Sequence, residues 1–295
     1  MICLYHLDDD GKCAGHLVNV FAPGDGLGKR FYKVDYDANI QNILNTVADE
    51  ERVYIVDFSI SPEMMSKLLR ITSNVTWIDH HKTSIEKYDN FPERIKGIRD
   101  VNHSGSLLTW VYFQMMMPDN SFTYEELINL APDYIKIIDD YDMWTFKLPE
   151  TKEFHEGFAL LPHEPEDISW SLLGIDSKEW INRIANDGKI TIKYRRYLMN
   201  EVFNSYGFET EINGYKAYAV NQGIISSDDF ENYVTENFLN KYDVLIGFIY
   251  DGEKYTYQLR TLKDIDISPI AVSYGGGGHP KACGFTHKDM ILVRK

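Results

Sequence analysis

Three stretches in the first half of the chain each run as an apolar strand straight into acidic or imidazole groups. They are Ile2-Cys3-Leu4-Tyr5-His6-Leu7-Asp8-Asp9-Asp10-Gly11, Arg52-Val53-Tyr54-Ile55-Val56-Asp57 and Val75-Thr76-Trp77-Ile78-Asp79-His80-His81. Helix-like segments separate them. This alternation predicts a doubly wound, mainly parallel sheet. Such a sheet opens its strand ends on one edge, where α/β proteins place their chemistry. Carboxylate oxygens mixed with imidazole nitrogens suit a pair of divalent cations.

Local signals fill in the rest. Residues 13–21 read as a helix, and 31–34 as a short strand. Residues 39–48 carry Ile40, Ile43, Leu44 and Val47 at helical spacing. Ser61-Pro62-Glu63 reads as an N-cap with proline at the first helical position, its helix turning Met64, Met65, Leu68 and Leu69 inward. Ser104-Gly105-Ser106 opens another helix that Pro118 ends, with Met115, Met116 and Met117 read as core filler. A further helix from about Thr123 leads into Asp139-Asp140-Tyr141-Asp142-Met143-Trp144. Residues 145–170, with Pro149, Pro162 and Pro165 among many acids, read as irregular and exposed. Asp176-Ser177-Lys178-Glu179 resembles a capping box. A break is expected at Asp187-Gly188, with helical spacing resuming through Ile190, Tyr194, Tyr197, Leu198 and Val202.

The expectation is therefore an α/β catalytic domain in residues 1–175, a helical connector in 176–206, and a smaller α/β domain with a mixed sheet in 207–295. That last part has strand-like runs at 215–220, 244–250 and 255–259, an Asp251-Gly252 hairpin turn, and a short helix at 267–274.

A net charge of -15 discourages long-range capture of a polyanion. Any nucleic-acid substrate should be short and held at a local, metal-rich site, and no long duplex is expected. Cys3, Cys13 and Cys283 follow neither a disulfide nor a zinc pattern, which fits a reducing cytoplasm. No apolar run is long enough for a membrane span.

His6, Asp8 and Asp10 stand at period two, and would share one face if the strand stayed extended. Carboxylates this crowded repel one another, and each costs several kcal/mol to desolvate without compensation. A divalent cation supplies that compensation. Taken singly, the acids around Asp9 could form an exposed turn and Asp57 a helix cap. Their conjunction with Asp79-His80-His81 argues for a metal site.

The combination of His6-x-Asp8-x-Asp10-Gly11, Val56-Asp57, Ile78-Asp79-His80-His81 and Tyr141-Asp142-Met143-Trp144 resembles the DHH phosphoesterase superfamily in motif order. The ending Gly275-Gly276-Gly277-Gly278-His279-Pro280-Lys281-Ala282-Cys283-Gly284-Phe285 is similar to the glycine-rich motif of its associated C-terminal domain. The resemblance implies two divalent ions, usually manganese, with magnesium or cobalt as substitutes. His6, Asp8 and Asp57 would hold the first ion, and Asp10, Asp57, His80 and Asp142 the second. His81 would face the substrate phosphate, and Asp79 would orient its neighbours. Asp139 and Asp140 compete with Asp142, whose Tyr-Asp-Met-Trp context resembles the family best. Arg260, Gly276, Gly277, Gly278 and His279 would bind substrate phosphate, the glycines as a backbone anion nest.

The implied activity is metal-dependent phosphodiester hydrolysis of short oligonucleotides to nucleoside 5′-monophosphates, by hydroxide from a water bridging both ions. A cyclic-dinucleotide phosphodiesterase and a 3′-phosphoadenosine-5′-phosphate phosphatase are the alternatives within that chemistry. A catalytically silent nucleotide sensor is the alternative outside it. A homodimer is compatible with this plan.

Overall fold

The computed structural model describes residues 1–24, 26–35, 38–175, 177–222 and 236–295. The chain divides into two compact units, Met1–Ile190 and Thr191–Lys295.

In the first unit, β1 (Ile2–His6), α1 (Asp9–Phe21), β2 (Arg30–Val34), α2 (Ile40–Leu44), β3 (Val53–Val56), α3 (Pro62–Leu69) and β4 (Val75–Ile78) alternate along the chain. The four strands form one parallel sheet ordered β2-β1-β3-β4. β1, β3 and β4 are mostly apolar because helices cover both faces, whereas β2 at the sheet edge carries Arg30 and Lys33. Ile2, Leu4, Val53, Ile55, Val75 and Trp77 pack towards α2 and α3. Cys3, Tyr5, Tyr54, Val56 and Ile78 pack on the opposite side, against α1 and α5 (Gly105–Met115). The doubly wound, mainly parallel reading holds.

Between β4 and α5 lies the short α4 (Lys82–Glu86). After α5 a helical layer follows: α6 (Tyr124–Leu130), α7 (Asp133–Asp142), α8 (Thr151–Phe158), α9 (Ile168–Ile175) and α10 (Ser177–Tyr206). The helix expected from Thr123 is real, with Thr123 and Glu126 completing a capping box. It stops before Pro132, which has no N–H to continue it, and α7 starts anew.

Several expectations are overturned. Residues 145–170 are not an irregular exposed stretch: Phe154, Phe158 and Trp170 are buried and anchor the helical layer. Aromatic spacing across prolines hides this core, because the helices are short and turn sharply. Met115, Met116 and Met117 are exposed at the end of α5, beyond its buried face. The helix at 39–48 is confined to Ile40–Leu44. No break occurs at Gly188, and α10 runs through it. There α8 and α10 cross so closely that a Cβ on Gly188 would strike the carbonyl of Glu153, and one on Gly157 that of Ile184. Glycine marks close backbone approach here rather than helix termination. The cap expected at Asp176 lies outside the described residues.

The second unit holds a six-stranded sheet ordered β5-β6-β7-β8-β10-β9. Its elements are β5 (Phe208–Ile212), β6 (Tyr215–Asn221), α11 (Glu236–Lys241), β7 (Val244–Tyr250), β8 (Tyr255–Arg260), α12 (Ser268–Ser273), β9 (Gly277–His279) and β10 (Ala282–His287). β6 and β7 are parallel and the other pairs antiparallel, so the sheet is mixed as expected. The Asp251-Gly252 turn joins β7 to β8 with Gly252 at φ +105°.

Candidate metal centre

Sheet register assembles the site. Tyr5 pairs with Val56, and Val56 with Ile78. The residues that follow on these strands are His6, Asp57 and Asp79, so they emerge side by side at one edge. Asp57 turns the chain sharply at φ +51°, a left-handed conformation that costs a residue with a Cβ. Gly105 packs against it, and a Cβ at that position would strike Asp57.

The extended geometry expected through Asp10 does not persist. The Asp8 side chain caps α1, accepting the Gly11 N–H at 2.9 Å, and Asp10 falls in the first helical turn. Asp10 reaches the site from the helix instead. Buried, it accepts N–H groups of Gly105 (2.6 Å) and Ser106 (3.0 Å) at the start of α5. Helix N-termini favour negative charge in this way. Ser104-Gly105-Ser106 is thus an anchor for Asp10 as well as a helix start, a role its sequence signal did not disclose.

Among the described residues, three groups of donors each lie within 4.8 Å: His6, Asp8 and Asp57; Asp10, His80 and Asp142; and Asp57, His80 and His81. His80 Nε2 is 3.1 Å from Asp57 Oδ1 and 3.5 Å from Asp142 Oδ2. His6 Nδ1 lies 2.6 Å from Asp8 Oδ2 and 3.8 Å from Asp57 Oδ2. Asp79 Oδ1 accepts the backbone N–H of His80 (2.8 Å) and of His81 (3.2 Å), and contacts His81 Nδ1 at 2.8 Å. That last contact fixes the His81 ring with Nε2 directed away from Asp79.

The three acids of the fourth motif separate by their partners. Asp140 is spent on structure, accepting from Thr145 and Thr151 hydroxyls and from the Lys147 and Leu148 N–H groups. Asp139 accepts the Ser104 N–H at 2.7 Å. Asp142 is the one that joins His80 and Asp10.

Burial, with the carboxylates of Asp10, Asp8, Asp142 and Asp79 around it, pushes the Asp57 carboxyl well above the usual range. Burial together with Asp10, Asp8 and Asp139 raises Asp142 to about 9. Among the described residues, neither oxygen of Asp57, nor Asp142 Oδ2, nor His80 Nε2, makes a well-directed hydrogen bond. Buried polar atoms are ordinarily satisfied. Acids that cannot all ionise together, beside unsatisfied imidazole nitrogen, fit a divalent cation that supplies both ligand bonds and countercharge.

Sequence reasoning also missed Asp9. His155 Nδ1 and His163 Nε2 each lie 2.9 Å from its carboxylate, and His155 stacks on Tyr141 at 3.7 Å. Both histidines fall in the stretch read as irregular, so no spacing signal linked them to Asp9.

In the second unit, Arg260 pairs with Ala282 and Ala282 with His279. Cross-strand partners share a sheet face, so Arg260 and His279 flank a small alanine with Cα atoms roughly 9–10 Å apart. Arg260 is half-buried, its Nε without a hydrogen-bond partner among the described residues. The glycine run is not one continuous nest. Gly275, at φ +79°, caps α12, and the Gly276 N–H donates to the Ala271 carbonyl. Gly277, Gly278 and His279 form the exposed edge strand β9.

No protein-family model matches the chain. It is 26% identical to uncharacterized protein R106 of Acanthamoeba polyphaga mimivirus, over 86% of this chain and 58% of that protein. To oligoribonuclease NrnB of Bacillus subtilis (strain 168) it is 24% identical, over 98% of this chain and 74% of NrnB. Three solved structures share its architecture. The DHH domain of a protein assigned to a family of ribosomal proteins superposes with a TM-score of 0.54 at 14% identity, over 96% of this chain and 81% of that one. Exonuclease RecJ bound to manganese gives 0.51 at 12%, over 96% and 84%. The pGpG-specific phosphodiesterase PggH of Vibrio cholerae gives 0.50 at 14%, over 97% and 93%. Among the described residues, no helix is long and apolar enough to cross a membrane. The chain therefore shares the fold of these DHH-domain structures, and the motifs singled out in its sequence fall at the strand ends and helix that form the site.

Proposed function

We propose that the chain is a divalent-metal-dependent phosphodiesterase acting on short linear oligonucleotides and releasing nucleoside 5′-monophosphates. The observation that carries this reading is Asp57: a fully buried carboxylate, without well-directed hydrogen bonds, lying between two sets of ligand-competent side chains. Residues 1–175 would be the catalytic part and 207–295 the substrate-binding part.

His6, Asp8 and Asp57 would hold one ion, with Asp10, Asp57, His80 and Asp142 holding a second, manganese being the preferred metal. Bound there, the ions supply an acidified water and offset charge on the phosphoryl oxygens. Asp79 holds His81 in one ring orientation, so that its Nε2 can donate to a phosphoryl oxygen. The Gly105 and Ser106 N–H groups hold the Asp10 carboxylate in place. Arg260 and His279, with β9, would grip a terminal phosphate.

The relatives support the short-substrate reading: NrnB is named an oligoribonuclease and PggH is specific for pGpG. The net charge of -15 agrees with it. The test is a product-resolved panel with manganese: pApA, longer oligoribonucleotides, 3′-phosphoadenosine-5′-phosphate, cyclic di-AMP, cyclic di-GMP and pyrophosphate. Fastest turnover of pApA to monophosphate is expected. Preference for a cyclic dinucleotide, or no hydrolysis of any member, would sink the proposal.

A further inference from the structure

Acids of the proposed metal centre line a pocket of about 240 Å³ together with several aromatic rings. Asp8, Asp10 and Asp142 share its lining with Tyr141, Trp144 and His155. A volume this size lies below the ~300–1,000 Å³ of pockets that take drug-sized ligands, so it suits one planar group.

The aromatic wall is held from several sides. Trp144 is 55% exposed, so much of its ring is open to solvent. It sits at φ +54°, and Phe146 follows at φ +47°. Two bulky residues in the left-handed region cost energy, and such strain concentrates where it positions a functional group. Asp140 holds the segment in place through Thr145, Lys147, Leu148 and Thr151. Trp144 packs edge-on to Tyr141 (5.6 Å) and to Phe146 (4.6 Å), which fixes its plane. Tyr141 is held in turn by its stack on His155, which Asp9 anchors.

We infer that this pocket is a nucleobase subsite: Trp144 stacks the base of the nucleoside whose phosphate lies at the Asp57 centre. The inference rests on the proposed function for the position of the phosphate, but not for the chemistry of the pocket. Every base has a π-face, so stacking here selects nucleotides over other phosphate esters without selecting a sequence. Asp140 is a positioning residue for this wall.

The experiment compares two ligands that differ only in the base. Adenosine 5′-monophosphate and ribose 5-phosphate are titrated by calorimetry into the manganese-loaded chain, its W144A variant and its W144F variant. In the unmodified chain the base should tighten binding about tenfold. That margin should collapse in W144A and largely return in W144F, with ribose 5-phosphate binding all three alike. An unchanged margin in W144A, or no margin in the unmodified chain, overturns the subsite. Equal loss of both ligands in W144A does the same. Turnover of pApA is read separately. A chain that shows the Trp144-dependent margin yet hydrolyses nothing refutes the proposed function and upholds the subsite.

Discussion

Two costs meet at Asp57: a left-handed backbone and a carboxylate buried among four others. The carboxylate oxygens make no well-directed hydrogen bond among the described residues, so removing the charge should not harm the metal-free fold. Asp57→Asn keeps the shape and takes away the ionisable group. The variant without metal should melt at the same temperature as the parent or above it, read by circular dichroism in chelator. Its manganese-dependent turnover should fall by more than the ~10–100-fold typical of losing an outer partner of a ligand. Substantial activity in that variant would remove Asp57 from the centre of the site. That His6 and His80 gather with the acids was legible because strands end in register, and a strand-end imidazole beside an acid is visible in one dimension. Asp10 was legible by type but not by route. Its approach depends on where α1 begins, and that is decided by the Asp8 cap rather than by strand periodicity.

At the scale of elements, the parallel strands were legible because burial on both faces makes them continuously apolar. The layer from α8 to α10 was not. Gly188 read as a break, although with Gly157 it mediates a backbone crossing that depends on a partner far away in the chain. Gly188→Ala tests this directly: the added methyl strikes the Glu153 carbonyl, and overpacking of this kind costs about 1–3 kcal/mol. Urea unfolding should show the loss, whereas a simple helix break would gain from alanine's better helical propensity. A second element-level prediction concerns Glu51, buried ahead of β3. Burial raises its pKa, but the Ala48 N–H and the Arg30 guanidinium outweigh this and hold it below the usual carboxylate range. A lowered folded value means that the unfolded chain binds the proton more readily. The stabilisation is therefore full above the unfolded pKa and lost as pH falls through the folded one. Glu51→Gln should lower stability at neutral pH and flatten the decline below about pH 4.5, seen in urea midpoints across an acid series.

At the scale of the whole molecule, the proposed activity would require an acidic chain to place its cations where a phosphate would lie. Arg260 is half-buried at the end of β8 and makes no ion pair with a carboxylate among the described residues. Burial lowers its pKa, so its charge is held against a desolvation cost that an anionic ligand would repay. His279 stands two strands away on the same face with only Ala282 between them, leaving room for a phosphate group. A linear oligonucleotide offers that site a terminal phosphate, which a cyclic dinucleotide does not. Arg260→Ala should then raise KM for pApA about tenfold or more while leaving kcat within a few-fold, since the lost contact acts on binding rather than at the reacting phosphorus. KM for cyclic di-AMP and for an ApA lacking the 5′-phosphate should move little. If all three substrates weaken equally, Arg260 supports the fold of the second unit rather than reading the phosphate end, and the basis for linear preference must lie elsewhere.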